Sequence, residues 1–236
     1  MAELRRNKQS LSKQRHLIAF YKPKSTTAEQ FRTIRSNVDF SQVDSELKTI
    51  MLTSSGPGEG KSTSSANLAV VMAQQGKRVL LIDADLRKPT MHYTFRLSNT
   101  EGLTTLLRKL TTFDDSVKKT EVDNLFVLTS GPIPPNPAEL LSSVGMASFI
   151  KHALTLFDTV IIDTPPILAV TDAQVLANLC DGAILVVRSG VAEKEAALKA
   201  KDLLTKAKAR ILGVILNAKP INKGSDYYYY NYYGND

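Results

Sequence analysis

Six short runs of aliphatic and β-branched residues punctuate the chain, at 49–54 (TIMLTS), 78–83, 125–129, 159–163, 183–187 and 211–217. Most are continuously apolar rather than alternating, as expected of strands covered on both faces. Between them the spacing of apolar residues predicts helices over 61–75, 137–153, 171–178 and 192–207. Ahead of the first strand, Thr26 or Thr27 stands where it can cap a helix through Phe31, Ile34 and Val38, with Glu29 and Gln30 in its first turn. Strands alternating with helices predict an α/β fold built on a doubly wound, mainly parallel sheet.

The junction between the first strand and the first long helix carries the strongest chemical signal. There Ser55, Gly56, Pro57, Gly58, Glu59, Gly60, Lys61, Ser62 and Thr63 follow one another. A glycine-rich loop opening a helix aims backbone N–H groups and the positive end of the helix at an anion. Lys61 is then placed for the β- and γ-phosphates of ATP, and Ser62 for a magnesium ion. Thr63 is the next hydroxyl, within range of the α-phosphate. The first glycine of the usual G-x-x-x-x-G-K-[ST] pattern is Ser55 here, and the position calls for a small residue rather than one without a Cβ.

Two further strands end in acids. Asp163 closes the run VIID, where a carboxylate can hold a magnesium water near the phosphate loop. In VLLIDADLR, Asp83, Asp85 and Arg87 stand at alternate positions and point the same way if the strand stays extended. One Asp of that pair is expected to serve magnesium and the other to accept a proton from an incoming hydroxyl, with Asp83 placed as the base. Asn217 ends the last strand, where it either terminates the strand with a polar group or, by its likeness to related P-loop ATPases, contacts adenine.

Composition narrows the picture without changing it. At 236 residues with 43% apolar and 22% charged residues, the chain has the usage of one globular domain with appendages. No apolar run approaches the roughly 20 residues of a membrane span, and the N-terminus lacks a signal-peptide core, so a cytosolic chain is expected. The single Cys180, and His16, His92 and His152 without ligand spacing, imply no disulfide and no structural metal. The formal charge of +7 is concentrated in residues 1–24. That arm suits an acidic surface of any kind, so nucleic-acid binding is not specifically predicted. The resulting division is a basic arm at 1–24, a P-loop domain at 25–222 and a tail at 223–236. The tail holds Tyr227, Tyr228, Tyr229, Tyr230, Tyr232 and Tyr233, six of the chain's eight tyrosines.

With these motifs assembled, the chain resembles the bacterial tyrosine kinases (BY-kinases), P-loop enzymes of the partitioning-ATPase-like superfamily unrelated to eukaryotic protein kinases. Residues 55–62 match the family's Walker A motif, 79–87 its A′ motif with the D-x-D-x-R pattern, 160–166 its Walker B motif and 227–233 its tyrosine cluster. Glu29, Arg32 and Arg35 reproduce its E-x-x-R-x-x-R element, associated with ring-like self-assembly. The resemblance implies that Asp83 activates the tyrosine hydroxyl, that Asp85 and Asp163 complete the magnesium site with Ser62, and that Lys61 and Arg87 act in catalysis. It further implies ATP and Mg²⁺ as cofactors and autophosphorylation of the tail. The form without membrane spans is the Gram-positive one, in which a separate membrane-bound activator supplies a cytoplasmic segment and recruits the kinase to the inner membrane face. Protein tyrosine substrates, a cognate phosphotyrosine phosphatase and control of exopolysaccharide synthesis or export complete the implied setting. The rival readings are a partitioning or positioning ATPase switch, which usually has a lysine where Gly56 stands, and a non-catalytic nucleotide-binding regulator of an export complex.

Overall fold

The computed structural model describes residues 17–41 and 46–220. The tyrosine cluster and the first sixteen residues of the arm lie outside the described residues.

Short helix α1 (Ile18–Tyr21) leads to α2 (Thr26–Phe40), β1 (Thr49–Ser54), α3 (Lys61–Ala73) and β2 (Val79–Asp83). Three short helices follow, α4 (Met91–Phe95), α5 (Leu103–Leu107) and α6 (Phe113–Ser116), then β3 (Val117–Lys119) and β4 (Leu125–Leu128). The chain continues through α7 (Pro137–Leu141), α8 (Val144–Ala153), β5 (Thr159–Asp163), α9 (Asp172–Ala177), β6 (Gly182–Arg188), α10 (Lys194–Lys206) and β7 (Ile211–Asn217). The seven strands form one sheet in the order β3-β4-β2-β5-β1-β6-β7, parallel throughout except for the β3–β4 pair.

The unbroken apolar strands divide their side chains between two cores, because successive residues of a strand face opposite sides. Ile50 and Leu52 of β1 and Leu81 of β2 pack with Leu68 and Val71 of α3 and Phe31 and Val38 of α2. Met51, Leu80, Ile82 and Ile162 face the other way, toward Phe149 and Ile150 of α8, Leu176 of α9 and Leu204 of α10. Truncating one such fully buried Leu to Ala costs about 2–5 kcal/mol.

All six expected strands form, with ends shifted by at most one residue. Four local expectations are corrected. The cap of α2 is Ser25, whose hydroxyl accepts from the Ala28 N–H, so Thr26 already lies inside the helix. The helix expected over 137–153 is two helices, because the Ser143 side chain caps a fresh start by accepting from the Met146 N–H. A seventh strand, β3, was hidden by its length of three residues. The arm boundary after residue 24 falls inside the folded unit: Leu17 and Ala19 are core residues, and the Ala19 N–H donates to the Asn67 side chain of α3 at 2.9 Å.

Candidate active site

The site grows from three strand ends. β2 and β5 pair so that Asp83 lies directly opposite Asp163, and Asp163 is also in register with Leu52 of β1. Two carboxylates are thereby brought side by side at the carboxyl edge of the sheet, where β1 turns into the glycine loop. This edge is the usual ligand position in open α/β sheets.

The loop is shaped by glycines and braced by side chains. Gly58 and Gly60 have φ of +76° and +94°, a region favouring glycine. A Cβ on Gly60 would also lie 2.1 Å from the Asn217 amide nitrogen. Asn217 donates that amide to the Glu59 carbonyl at 2.9 Å, so the end of β7 clasps the loop from outside. Glu59 is buried, and its carboxylate turns inward to accept from the Ser55 hydroxyl and the Gly56 N–H, and at 3.3 Å from the Arg188 N–H. Arg188 in turn donates to the Gly58 carbonyl at 3.2 Å. Ser55 replaces the first glycine without backbone strain and adds a hydroxyl to this brace. Pro57 is exposed at the loop tip, and Ser62 and Thr63 open α3 half-buried.

Lys61 extends across the cradle to the acids. Its ammonium lies 2.9 Å from Asp85 and 3.2 Å from Asp163, and donates to the Ser62 hydroxyl at 3.1 Å. Burial pulls the lysine's pKa down, but Asp163 and Asp85 outweigh it and hold the ammonium above its ordinary value. Asp163 accepts from the hydroxyls of Ser62 at 2.6 Å and Ser65 at 3.0 Å. Its burial raises its pKa in spite of Lys61. Asp83 is fully buried: one oxygen accepts from the N–H groups of Thr90 and Met91, both at 2.9 Å, and the other has no partner. Burial first, and Asp163 second, push the Asp83 carboxyl up to about 7.

One ammonium thus faces three carboxylates, an excess of negative charge that a divalent cation would offset. Among the described residues no group of three or more Asp, Glu, His or Cys side chains is placed to hold a metal ion by itself. Magnesium fits such an open site, since it keeps several waters and takes one or two carboxylates together with substrate phosphate oxygens.

Arg87 parts company with its motif. The chain leaves β2 at Asp83, and the guanidinium turns to Asp172, its Nε and Nη2 donating to the two carboxylate oxygens at 2.9 and 3.0 Å. Asp172 and Ser65 belong to no motif in the sequence, and Asp172 reads there as an ordinary acidic residue at a helix start. Its detectable signal was Arg87, a cation beside a buried site that needs a counter-ion. On α2, Glu29 pairs with Arg32 at 2.6 Å, whereas Arg35 donates inward to the Val71 carbonyl at 3.2 Å.

A parallel sheet with this loop and these acids defines a P-loop nucleotide-binding protein, and the family model of an AAA domain matches residues 47–194. The tyrosine-protein kinase YwqD of Bacillus subtilis (strain 168) is 56% identical over 227 residues, covering 96% of this chain and 95% of that protein. The crystal structure of the chimerical protein CapA2B2 superposes with a TM-score of 0.85 at 47% identity, covering 87% of this chain and 91% of the other. More distantly, the septum site-determining protein MinD of Pyrococcus horikoshii OT3, complexed with Mg-ADP, gives a TM-score of 0.62 at 26% identity over 72% of this chain and 69% of its own. The chain belongs to the bacterial tyrosine kinases.

Proposed function

We propose that this chain transfers the γ-phosphoryl group of ATP to tyrosine hydroxyls, with its own C-terminal cluster among the acceptors. The observation that carries this reading is the convergence of Lys61, Ser62, Asp83, Asp85 and Asp163 on one point at the ends of β1, β2 and β5. The loop N–H groups and Lys61 bind and orient the triphosphate. To engage phosphate, Lys61 exchanges its carboxylate partners for phosphate oxygens. Ser62, Asp85 and Asp163 would hold magnesium, which would offset the negative charge of the phosphates. Asp83 accepts the tyrosine proton through the oxygen that has no partner, its pKa near 7 matching the demands on a general base.

The wider reading follows the family. A membrane-bound activator supplies a cytoplasmic segment and recruits the kinase to the inner membrane face. Subunits assemble in a ring through the α2 helix that carries Glu29, Arg32 and Arg35, with Glu29 and Arg32 at the contact and Arg35 holding α2 to α3. Other cytosolic proteins are phosphorylated, a cognate phosphatase reverses the modification, and exopolysaccharide synthesis or export is the regulated process. The domain runs from the helices before β1 to about residue 222, followed by the tyrosine tail.

Incubating the full chain with Mg²⁺, labelled ATP and the activator's cytoplasmic segment tests the core of this reading. Phosphotyrosine is the expected product. Hydrolysis without phosphotyrosine would favour a partitioning-type switch, and binding with neither product would favour a non-catalytic regulator.

A further inference from the structure

The fork between Arg87 and Asp172 ties together two loops that each follow an active-site strand. Residues 84–90 form a closed loop after β2: Asp83 receives the Thr90 and Met91 N–H groups at its base, and Asp85 receives the Lys88 N–H at 3.0 Å. Arg87 stands between Asp85 and Lys88 and leaves the loop sideways. Its partner Asp172 begins α9, just after the segment 164–171 that follows Asp163. Asp172 is wholly buried, while the Arg87 side chain is 40% exposed. A buried carboxylate without its cation is strongly disfavoured, and a planar fork bound through two parallel N–H donors fixes direction as well as distance. Both oxygens of Asp172 are used, so neither loop can move relative to the other without breaking the pair.

We infer that Asp172 is a positioning residue for phosphoryl transfer: it anchors Arg87 and so holds Asp85 at the spacing from Asp163 that a magnesium–nucleotide complex requires. Arg87 acts here as a strut between the two acid-bearing loops. This inference rests on the kinase reading above. Asp172→Asn keeps the shape of the side chain but removes the charge that clamps the fork. Arg87→Lys keeps a cation for Asp172 but loses the fork.

The test measures, on the full-length chain with its activator segment, kcat and KM for ATP, and separately the Mg²⁺ concentration that half-saturates binding of a fluorescent ATP analogue. In each single variant kcat should fall tenfold or more and the Mg²⁺ midpoint should rise several-fold, with magnesium-free nucleotide affinity within about threefold of the parent. The double variant should be no worse than the more affected single one, because both act through one link. A purely structural role lowers the active fraction and hence kcat but leaves the Mg²⁺ midpoint in place. An unchanged midpoint in both variants, or effects that multiply in the double, would overturn the assignment. If Asp172→Asn does not fold, Arg87→Lys carries the test, since it leaves no unpaired buried charge. A parent chain that makes no phosphotyrosine in the same assay would remove the kinase reading and this inference with it, whereas an active parent with unaltered variants removes only the inference.

Discussion

At the floor of the phosphate cradle the charges of Lys61, Asp83, Asp85 and Asp163 do not cancel, and single substitutions there have distinct consequences. Lys61→Met takes away the cation nearest the phosphates and should reduce phosphotyrosine formation at least a hundredfold while circular dichroism stays that of a folded chain. It also strips Asp85 and Asp163 of their shared partner, so nucleotide-free stability should fall as well. Asp83 supplies a pH prediction. Its carboxyl ordinarily titrates at 3.8 and is pushed up to about 7 by burial and by Asp163. Between these values the native chain holds a proton that the unfolded chain has lost. This contribution to stability is therefore complete below pH 3.8, declines as pH rises and is gone above about 7. Asp83→Asn removes the titration, so in metal-free, nucleotide-free buffer its melting temperature relative to the parent should climb between pH 5 and pH 8. A constant difference across that range would mean that Asp83 is ionised throughout. The same variant should keep most nucleotide affinity but lose transfer, as measured by phosphotyrosine against analogue binding.

Among the elements, α2 separates two roles within one charged motif. Glu29 and Arg32 form an i,i+3 pair worth about 0.2–0.5 kcal/mol to the fold, and Arg32 also donates to the Pro23 carbonyl at 2.7 Å. Arg35 instead reaches the last turn of α3 and donates to Val71, so its loss disturbs the docking of α2 itself. Glu29→Ala with Arg32→Ala should lower the melting temperature by a few degrees at most, through the lost Arg32–Pro23 bond, and leave ATP affinity unchanged, yet shift a concentration-dependent oligomer toward monomer in light scattering. An oligomeric parent with an identical variant would take these two residues out of the contact. The elements also mark how far sequence alone could go. Buried parallel strands were legible because nothing interrupts their apolar runs, and the glycine loop because backbone geometry demands its residues in order. Short pieces were not: Val117–Lys119 is too brief for a pattern, and the break at Ser143 depends on which of two adjacent serines caps. Within the site, the acids at strand ends were legible, since the sheet fixes where a strand delivers its last side chain. The partners of Arg87 and Glu59 were not, because they are set by loops folding across one another.

For the molecule as a whole, the decisive question is how the tail meets a site that is largely enclosed. Six tyrosines in seven positions, following Gly224 and Ser225, form a segment with enough chain to reach an active site without disturbing the domain. β7 ends at Asn217, which clasps the glycine loop of its own subunit, so the segment departs from beside the cradle it would have to enter. The stretch from Asn217 to Tyr227 spans ten residues, at most roughly 33–36 Å when extended, a reach that admits a neighbouring site as well as its own. Each phosphate adds roughly −1.5 to −2 charges at neutral pH, so a few of them outweigh the formal +7 of the chain. A packed ring then gains like-charge repulsion and should come apart as modification proceeds. Mixing a tail-deleted active enzyme with full-length Lys61→Met enzyme isolates transfer between chains, because the inactive partner can acquire phosphate only from a neighbour. The expected outcome is phosphate on residues 227–233 of the inactive chain, with scattering mass falling in parallel in the full-length active enzyme. Phosphate confined to other residues would displace the tail as acceptor. Its absence from the inactive chain, with the active enzyme competent on an added tyrosine peptide, would rule out transfer in trans.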